Sequence, residues 1–333
     1  MGGPFGVAVC RRKVRTLTTR RPKTRNIAGM ASLAAGIFIF STQDAIIKAI
    51  SGDYAVTQAI VIRSLVSLPI LAVMVHAEQG LRALASANFW GLLTRGFILV
   101  TSYTAYYMAF PALPLAEAIA LFFVSPICVT LLAGPLLGES VSLKSWAAVA
   151  IGFAGVLLIL RPGSALFEPA ALLSLVAAAT YALAMIFARK LGAAESAAVM
   201  SFYQNGAYLL AALAIAGVCA ALGLTKLGHP SLDFLVRPWA APTLRDLSLM
   251  GACGVIAAVA VPLLTQAYRL AEANIVTVFE YTGMIWAPLW GYLFFAETPR
   301  WTTIAGMLLI VAAGFVSLSG AAARRPEIVV EGA

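Results

Sequence analysis

Asp44, Lys48, Arg63 and Glu280 are ionisable side chains that stand inside long apolar runs. A charge at the centre of a membrane helix costs about 2.5–3.5 kcal/mol on insertion scales, so it survives where it faces protein or water. Asp44 and Lys48 are four residues apart and share one helical face. Arg63 belongs to the next apolar run, which returns from the same side, so Asp44 and Arg63 fall at similar depth. Two readings fit that spacing: a charge pair that holds two helices together, or polar groups that border a path for a solute or an ion. Lys48, near its helix end, reads as a side chain that snorkels to the interface. Glu280 has no charged neighbour within its run, which makes it a candidate for holding a substrate cation or a proton.

Aromatic and amide side chains extend this set. Tyr103 shares a face with Tyr106 and Tyr107, and Tyr281, Trp286 and Trp290 follow Glu280 in its run. Tyr103, Tyr107, Trp286 and Trp290 suit a cavity for amphipathic or cationic solutes through cation–π contacts. The same residue types also form interfacial belts, and Tyr106 and Tyr107 are near enough to a helix end for that role. Tyr203, Gln204 and Asn205, together with Gln43 and Gln58, carry polar atoms that must face something other than lipid. Arg95 reads as interfacial. Glu117 and Glu272 sit where a carboxylate favours a helix N-terminus, and Glu139 and Glu297 sit in turns.

Catalytic and metal chemistry find little support. His76 and His229 lack partners at metal-ligand spacing, and Cys10, Cys128, Cys219 and Cys253 follow no ligand or disulfide pattern. A G-x-x-x-x-G-K-[ST] run, an H-E-x-x-H pair and a nucleophile motif are all missing from the 333 residues. No cofactor, no metal and no catalytic residue is expected.

The elements that must position these groups are membrane helices. Hydrophobic residues make up 61% of the chain and charged residues 11%, against about 25% charge in ordinary soluble domains. The apolar runs are continuous rather than alternating with period two, which points to helices and not to a barrel. Ten spans are expected, at 28–49, 55–76, 89–109, 114–137, 143–160, 170–189, 196–221, 247–268, 273–295 and 302–320. The longest connection, 222–246, carries Pro230, Pro238 and Pro242 and reads as an exposed loop. Pro69, Pro126, Pro262 and Pro288 are placed to kink their helices.

The net charge of +9 is concentrated near the N-terminus, from Arg11 to Arg25, which argues for a topology signal and membrane lipid, with no nucleic acid as partner. With the N-terminus in the cytoplasm, fifteen basic residues of the flanks and loops fall on that side against six opposite. Both termini are therefore expected inside. The basic stretch reads equally as a lipid-holding cytoplasmic tail over 1–27 and as residues ahead of a start at Met30; residues 321–333 form a second cytoplasmic tail.

The two halves echo each other. Leu115-Ala116-Glu117-Ala118 and Leu270-Ala271-Glu272-Ala273 each open a fourth helix, and Glu139 and Glu297 follow in the next turns. Five crossings per half oblige the second half to enter from the opposite face, which is the inverted repeat of many transporters, with the binding site near mid-membrane.

At this point the chain resembles the EamA-type members of the drug/metabolite transporter superfamily. The matching residues are Phe40 to Ala45 with Lys48, Arg63, Leu115 to Ala118, Ser125-Pro126, Gly138-Glu139, Phe279-Glu280-Tyr281 and Glu297. Among amino-acid exporters it is most similar to the YddG type. The resemblance covers residues 28–320 and implies an all-α integral membrane protein of ten transmembrane helices in two inverted five-helix repeats, 28–160 and 170–320. It also implies a bacterial inner-membrane protein that exports amino acids, other metabolites or cationic drugs; some relatives instead take up S-adenosylmethionine or move nucleotide-linked or lipid-linked sugars. Binding by Glu280, Tyr281, Tyr103, Tyr107, Trp286, Gln204 and Asn205, with Asp44, Lys48 and Arg63 as an ion or charge-pair group, is the site this reading predicts.

Overall fold

The computed structural model describes residues 23–137, 143–163, 167–191, 195–270 and 281–322. Among them all regular structure is helical. The first group of helices is α1 (Lys23–Ile50), α2 (Val56–Gln79), α3 (Phe89–Ala109), α4 (Leu115–Phe122), α5 (Ser125–Leu137) and α6 (Leu143–Leu160). The second is α7 (Ala171–Leu191), α8 (Ala197–Ala221), α9 (Pro230–Val236), α10 (Leu244–Leu270), α11 (Gly283–Phe295) and α12 (Trp301–Ala322). Four stretches are long and apolar enough to cross a membrane by themselves: Ala31–Ile50, Val56–Gln79, Ala197–Ala221 and Leu244–Val261, while the other apolar helices are shorter. Large apolar side chains such as Val73, Phe153, Phe294 and Leu308 point outward, as a lipid-facing surface requires.

Two expectations need correction. The span 114–137 is broken, with α4 ending at Phe122 and α5 beginning at Ser125. Pro126 explains the break: it has no N–H for the Phe122 carbonyl and its ring clashes there. The segment 222–246 is not simply an exposed loop. It contains α9, whose Ser231, Phe234 and Val236 are buried, and it is bonded to the rest of the chain. His229 Nδ1 accepts from the Ser231 N–H at 3.2 Å while its Nε2 meets Glu168 Oε1 at 3.0 Å. Arg237 donates to the Ser51 and Tyr54 carbonyls at 3.0 and 3.3 Å. Trp239 Nε1 donates to Thr57 Oγ1 at 3.0 Å. Gln58 makes a two-way bond with the backbone of Ala240, donating at 2.7 Å and accepting at 3.2 Å. The prolines that mark this stretch as irregular do not prevent it from packing.

The most extensive helix contacts are α6 with α12, α1 with α10, α3 with α7 and α2 with α8. Next come α2 with α10 and α3 with α8; α4 and α5 both lie on α7, and α11 lies on α1 and α4. Small residues permit the tightest crossing. A Cβ on Gly155 would lie 2.8 Å from the Gly306 carbonyl oxygen, and one on Gly306 would lie 2.7 Å from that of Gly155. Without a hydrophobic drive between helices in lipid, such backbone contact is a main source of association.

Candidate functional site

Polar side chains gather at two places in the bundle. The first is central. On α3 the i, i+3, i+4 spacing of Tyr103, Tyr106 and Tyr107 turns all three rings inward, with Tyr106 and Tyr107 fully buried. They are core residues rather than belt residues. Tyr103 is 5.8 Å from the ring of Tyr208 on α8, and 6.0 Å from that of Tyr107. From α1, Gln43 Nε2 donates to Tyr107 Oη at 2.6 Å, and Tyr106 Oη donates to Asp44 Oδ2 at 3.1 Å. From α8, Gln204 Nε2 donates to Tyr208 Oη at 2.9 Å.

Arg63 enters this group from α2 with 1% of its surface exposed. Its guanidinium stands 5.6 Å from the Tyr208 ring centroid, a cation–π distance. The place is fixed by close backbone packing, since a Cβ on Gly254 of α10 would fall 2.5 Å from the Arg63 carbonyl oxygen. Asp44 feels the charge of Arg63, yet among the described residues no carboxylate comes within ion-pair distance of it. Several buried polar atoms here have no protein partner: Arg63 Nε and Nη1, Asp44 Oδ1 and Gln43 Oε1. A small pocket is lined by Arg63, Tyr103, Tyr107, Tyr208, Thr57 and Thr104, with aliphatic residues of α2, α3 and α8 around them. Arg95 is half-buried, with an Nε that has no protein partner.

The second polar group ties helix ends together. Lys48 does not snorkel. Its Nζ pairs with Glu297 Oε1 at 2.6 Å, donates to the Leu113 carbonyl at 2.6 Å and lies 5.3 Å from the Phe295 ring centroid. Glu297 Oε2 accepts the Leu115 N–H at 2.8 Å, so it satisfies one of the free donors at the start of α4. Glu117, in the first turn of α4, accepts from Thr303 at 2.9 Å and meets Arg161 at 3.4 Å.

The residues singled out from sequence therefore separate. Arg63, Tyr103 and Tyr107 meet in the pocket; Gln204 supports it through Tyr208; Asp44 lies against it through Tyr106. Asn205 bridges α8 and α2, donating to the Ser201 carbonyl at 2.9 Å and accepting from Ser67 at 3.0 Å. Tyr281 is buried against Phe123. Trp286 stacks on Trp290 at 6.3 Å and meets the outward-facing Phe38. Neither Tyr281 nor Trp286 lines the pocket; α11, which carries Trp286, packs chiefly on α1 and α4. Glu280, Glu272 and Glu139 lie outside the described residues. Tyr208 is the pocket residue that sequence reasoning missed; its i, i+4 relation to Gln204 was the available signal.

Comparison with known proteins gives a consistent result. The EamA-like transporter family matches this chain twice, over residues 27–161 and 168–319. The pseudopaline exporter CntI of Pseudomonas aeruginosa is 29% identical over 287 residues, covering 86% of this chain and 94% of the relative. A riboflavin transporter of Rhizobium johnstonii is 31% identical over 249 residues, 75% of each chain. An S-adenosylmethionine uptake transporter of Rickettsia bellii is 25% identical over 221 residues, 66% of this chain and 69% of its own. A solved crystal structure shares the fold at a TM-score of 0.59 and 17% identity, covering 90% of this chain and 99% of that one.

Proposed function

The chain belongs to the EamA-like transporter family, and we propose that it is a secondary transporter that exports small metabolites, such as amino acids or amphipathic compounds, by alternating access. It is a multi-pass, all-α membrane protein, and its family and relatives are transporters rather than enzymes. Its place is the bacterial inner membrane, with both termini in the cytoplasm and ten crossings arranged as two inverted halves.

The observation that carries this reading is the pattern of helix contacts. Exchange α1 with α7, α2 with α8, α3 with α10, the α4–α5 pair with α11, and α6 with α12. The contact α1–α10 then becomes α7–α3, α2–α10 becomes α8–α3, and α1–α11 becomes α7 with α4 and α5. The pairs α2–α8, α6–α12 and α4–α11 map onto themselves. A two-fold relation between halves accounts for this, and inverted halves rocking about a shared central site are the usual basis of alternating access. The central pocket lies on contacts between the halves, since Arg63 and Tyr103 come from the first and Tyr208 from the second.

Without a P-loop motif in the chain, a gradient of substrate, protons or another ion supplies the energy. Glu280 keeps its proposed role as a carboxylate for a substrate cation or a proton; wild-type transport by Glu280→Gln across pH would remove it. Uptake is the second reading, favoured by the riboflavin and S-adenosylmethionine relatives.

Counterflow in proteoliposomes tests the transport reading, with labelled amino acids, S-adenosylmethionine, riboflavin and organic cations as substrates. Saturable exchange of one class supports it, and efflux from loaded cells then separates export from uptake. Reporter fusions at the connections test the topology: the equivalent connections of the two halves should report opposite sides.

A further inference from the structure

A buried guanidinium needs a reason. Arginine stays charged in any protein setting, and burying its charge without a partner is unfavourable by several kcal/mol. Elsewhere in this bundle cations of helix ends are paired: Lys48 with Glu297 and Arg161 with Glu117. Arg63 is more deeply buried than either, and two of its three nitrogens have no protein acceptor. Tyr208 offers a ring face and Asp44 a field from a distance, with one carboxylate oxygen already taken by Tyr106. Meanwhile Arg63 is the one charged side chain among the residues that line the pocket.

We propose that Arg63 reads an anionic group on the carried compound: a carboxylate that enters the pocket and takes the open donors of the guanidinium, between Tyr103, Tyr107 and Tyr208. This rests on the transport reading and adds a substrate class to it. A singly charged carboxylate suits the site better than a phosphate dianion. One guanidinium balances one negative charge, and Asp44 disfavours a second. The tyrosine walls receive the apolar or cationic remainder of the molecule.

The test uses the full chain, purified in lipid nanodiscs for equilibrium binding and in proteoliposomes for counterflow. The probes form two matched sets, L-phenylalanine with 2-phenylethylamine and 3-phenylpropionate, and L-histidine with histamine and imidazolepropionate, plus inorganic phosphate. At least one carboxylate-bearing probe should bind about tenfold or more tighter than its matched amine, the scale of a hydrogen bond to a charged group. Arg63→Gln should erase that difference by weakening the carboxylate and leaving the amine unchanged, while Arg63→Lys should keep part of it. Equal binding of carboxylate and amine by the wild-type chain overturns the proposal, and this outcome does not depend on any variant folding. So does an Arg63→Gln variant that weakens both alike, tighter binding of phosphate than of any carboxylate, or no binding of any carboxylate. Counterflow of amines without carboxylate preference leaves the transport reading standing and removes this one. Preferential carboxylate binding with no counterflow does the reverse.

Discussion

The two polar groups of this bundle are built from the same kinds of residue and end in opposite states. At the helix ends, Lys48, Glu297, Glu117 and Arg161 are joined to one another, to the Leu113 carbonyl, to the Leu115 N–H and to Thr303. In the centre, Arg63 and Gln43 are the most deeply buried of these side chains, and Arg63, Asp44 and Gln43 each keep a polar atom without a protein partner. Desolvation is harder to offset in the centre, so a purely structural role would predict the reverse arrangement. A satisfied cluster holds helices; an unsatisfied one, in a deeper place, is organised around something that comes and goes.

Breaking the satisfied cluster should have the largest effect on stability. Glu297→Ala removes the partner of Lys48 and the acceptor for Leu115 at once. Unfolding free energy in detergent should fall by about 3 kcal/mol, the lower end for breaking a buried pair. Glu297→Gln, which keeps an acceptor for Leu115, should lose clearly less. Equal losses would mean that the bond to the Leu115 N–H contributes nothing beyond the ion pair; no loss in Glu297→Gln would mean that the ion pair itself contributes nothing.

The same operation in the centre should go the other way. Arg63→Met removes a charge with no close partner, so stability should hold or rise by about 1 kcal/mol, while carboxylate binding disappears. A loss as large as that of Glu297→Ala would make Arg63 a structural residue and erase the distinction between the two groups.

How far this distinction could be read from sequence depends on what sets it. Asp44, Lys48 and Arg63 announce themselves, because ionisable residues in apolar runs are rare. Their fates do not. Lys48 and Asp44 share a face by spacing, yet one reaches Glu297, far along the chain, and the other meets Tyr106. The broken helix at Ser125-Pro126 was legible as a proline in an apolar run, though not as two separate helices. The folding of 222–246 was hidden, since Gln58, Thr57 and Ser51 supply its partners from distant positions. Aromatic residues look alike in sequence whether they face lipid, core or cavity; the packing of α11 on α1 and α4, and of Tyr281 against Phe123, sets Trp286 and Tyr281 apart from the tyrosines of α3.

The α6–α12 crossing, among the most extensive helix contacts, admits a smaller test. Gly306→Val would push a side chain into the Gly155 carbonyl, which would lie 2.7 Å from the first added carbon. Overpacking of this kind should destabilise by about 2 kcal/mol. The same substitution at Gly217, where an added carbon meets nothing within 4 Å, should change stability by less than about 0.5 kcal/mol. A loss at Gly306 no larger than that at Gly217 would show that close approach at the crossing contributes nothing.

The smallest effect is expected far from either group, in the connection before α9. Asp233 Oδ1 accepts the N–H groups of Leu227 at 2.6 Å and Gly228 at 3.0 Å. The Leu227 bond is the main reason that its carboxyl is held below the ordinary value of 3.8. A carboxylate with a lowered folded value contributes its stability above the ordinary value and loses it as pH falls through the lowered one. Amide exchange at Leu227 should therefore show constant protection from neutral pH down to about 4, after correction for intrinsic rates, and lose it below. Asp233→Asn should remove that acid step, while the unfolding midpoint at neutral pH stays near wild type because the group is at the surface. If the connection moves as one unit, the Asp233→Asn change would also alter exchange at Ala240, whose N–H is held by Gln58. Protection changing at Leu227 alone would show that the turn before α9 opens independently of the Gln58 and Trp239 contacts.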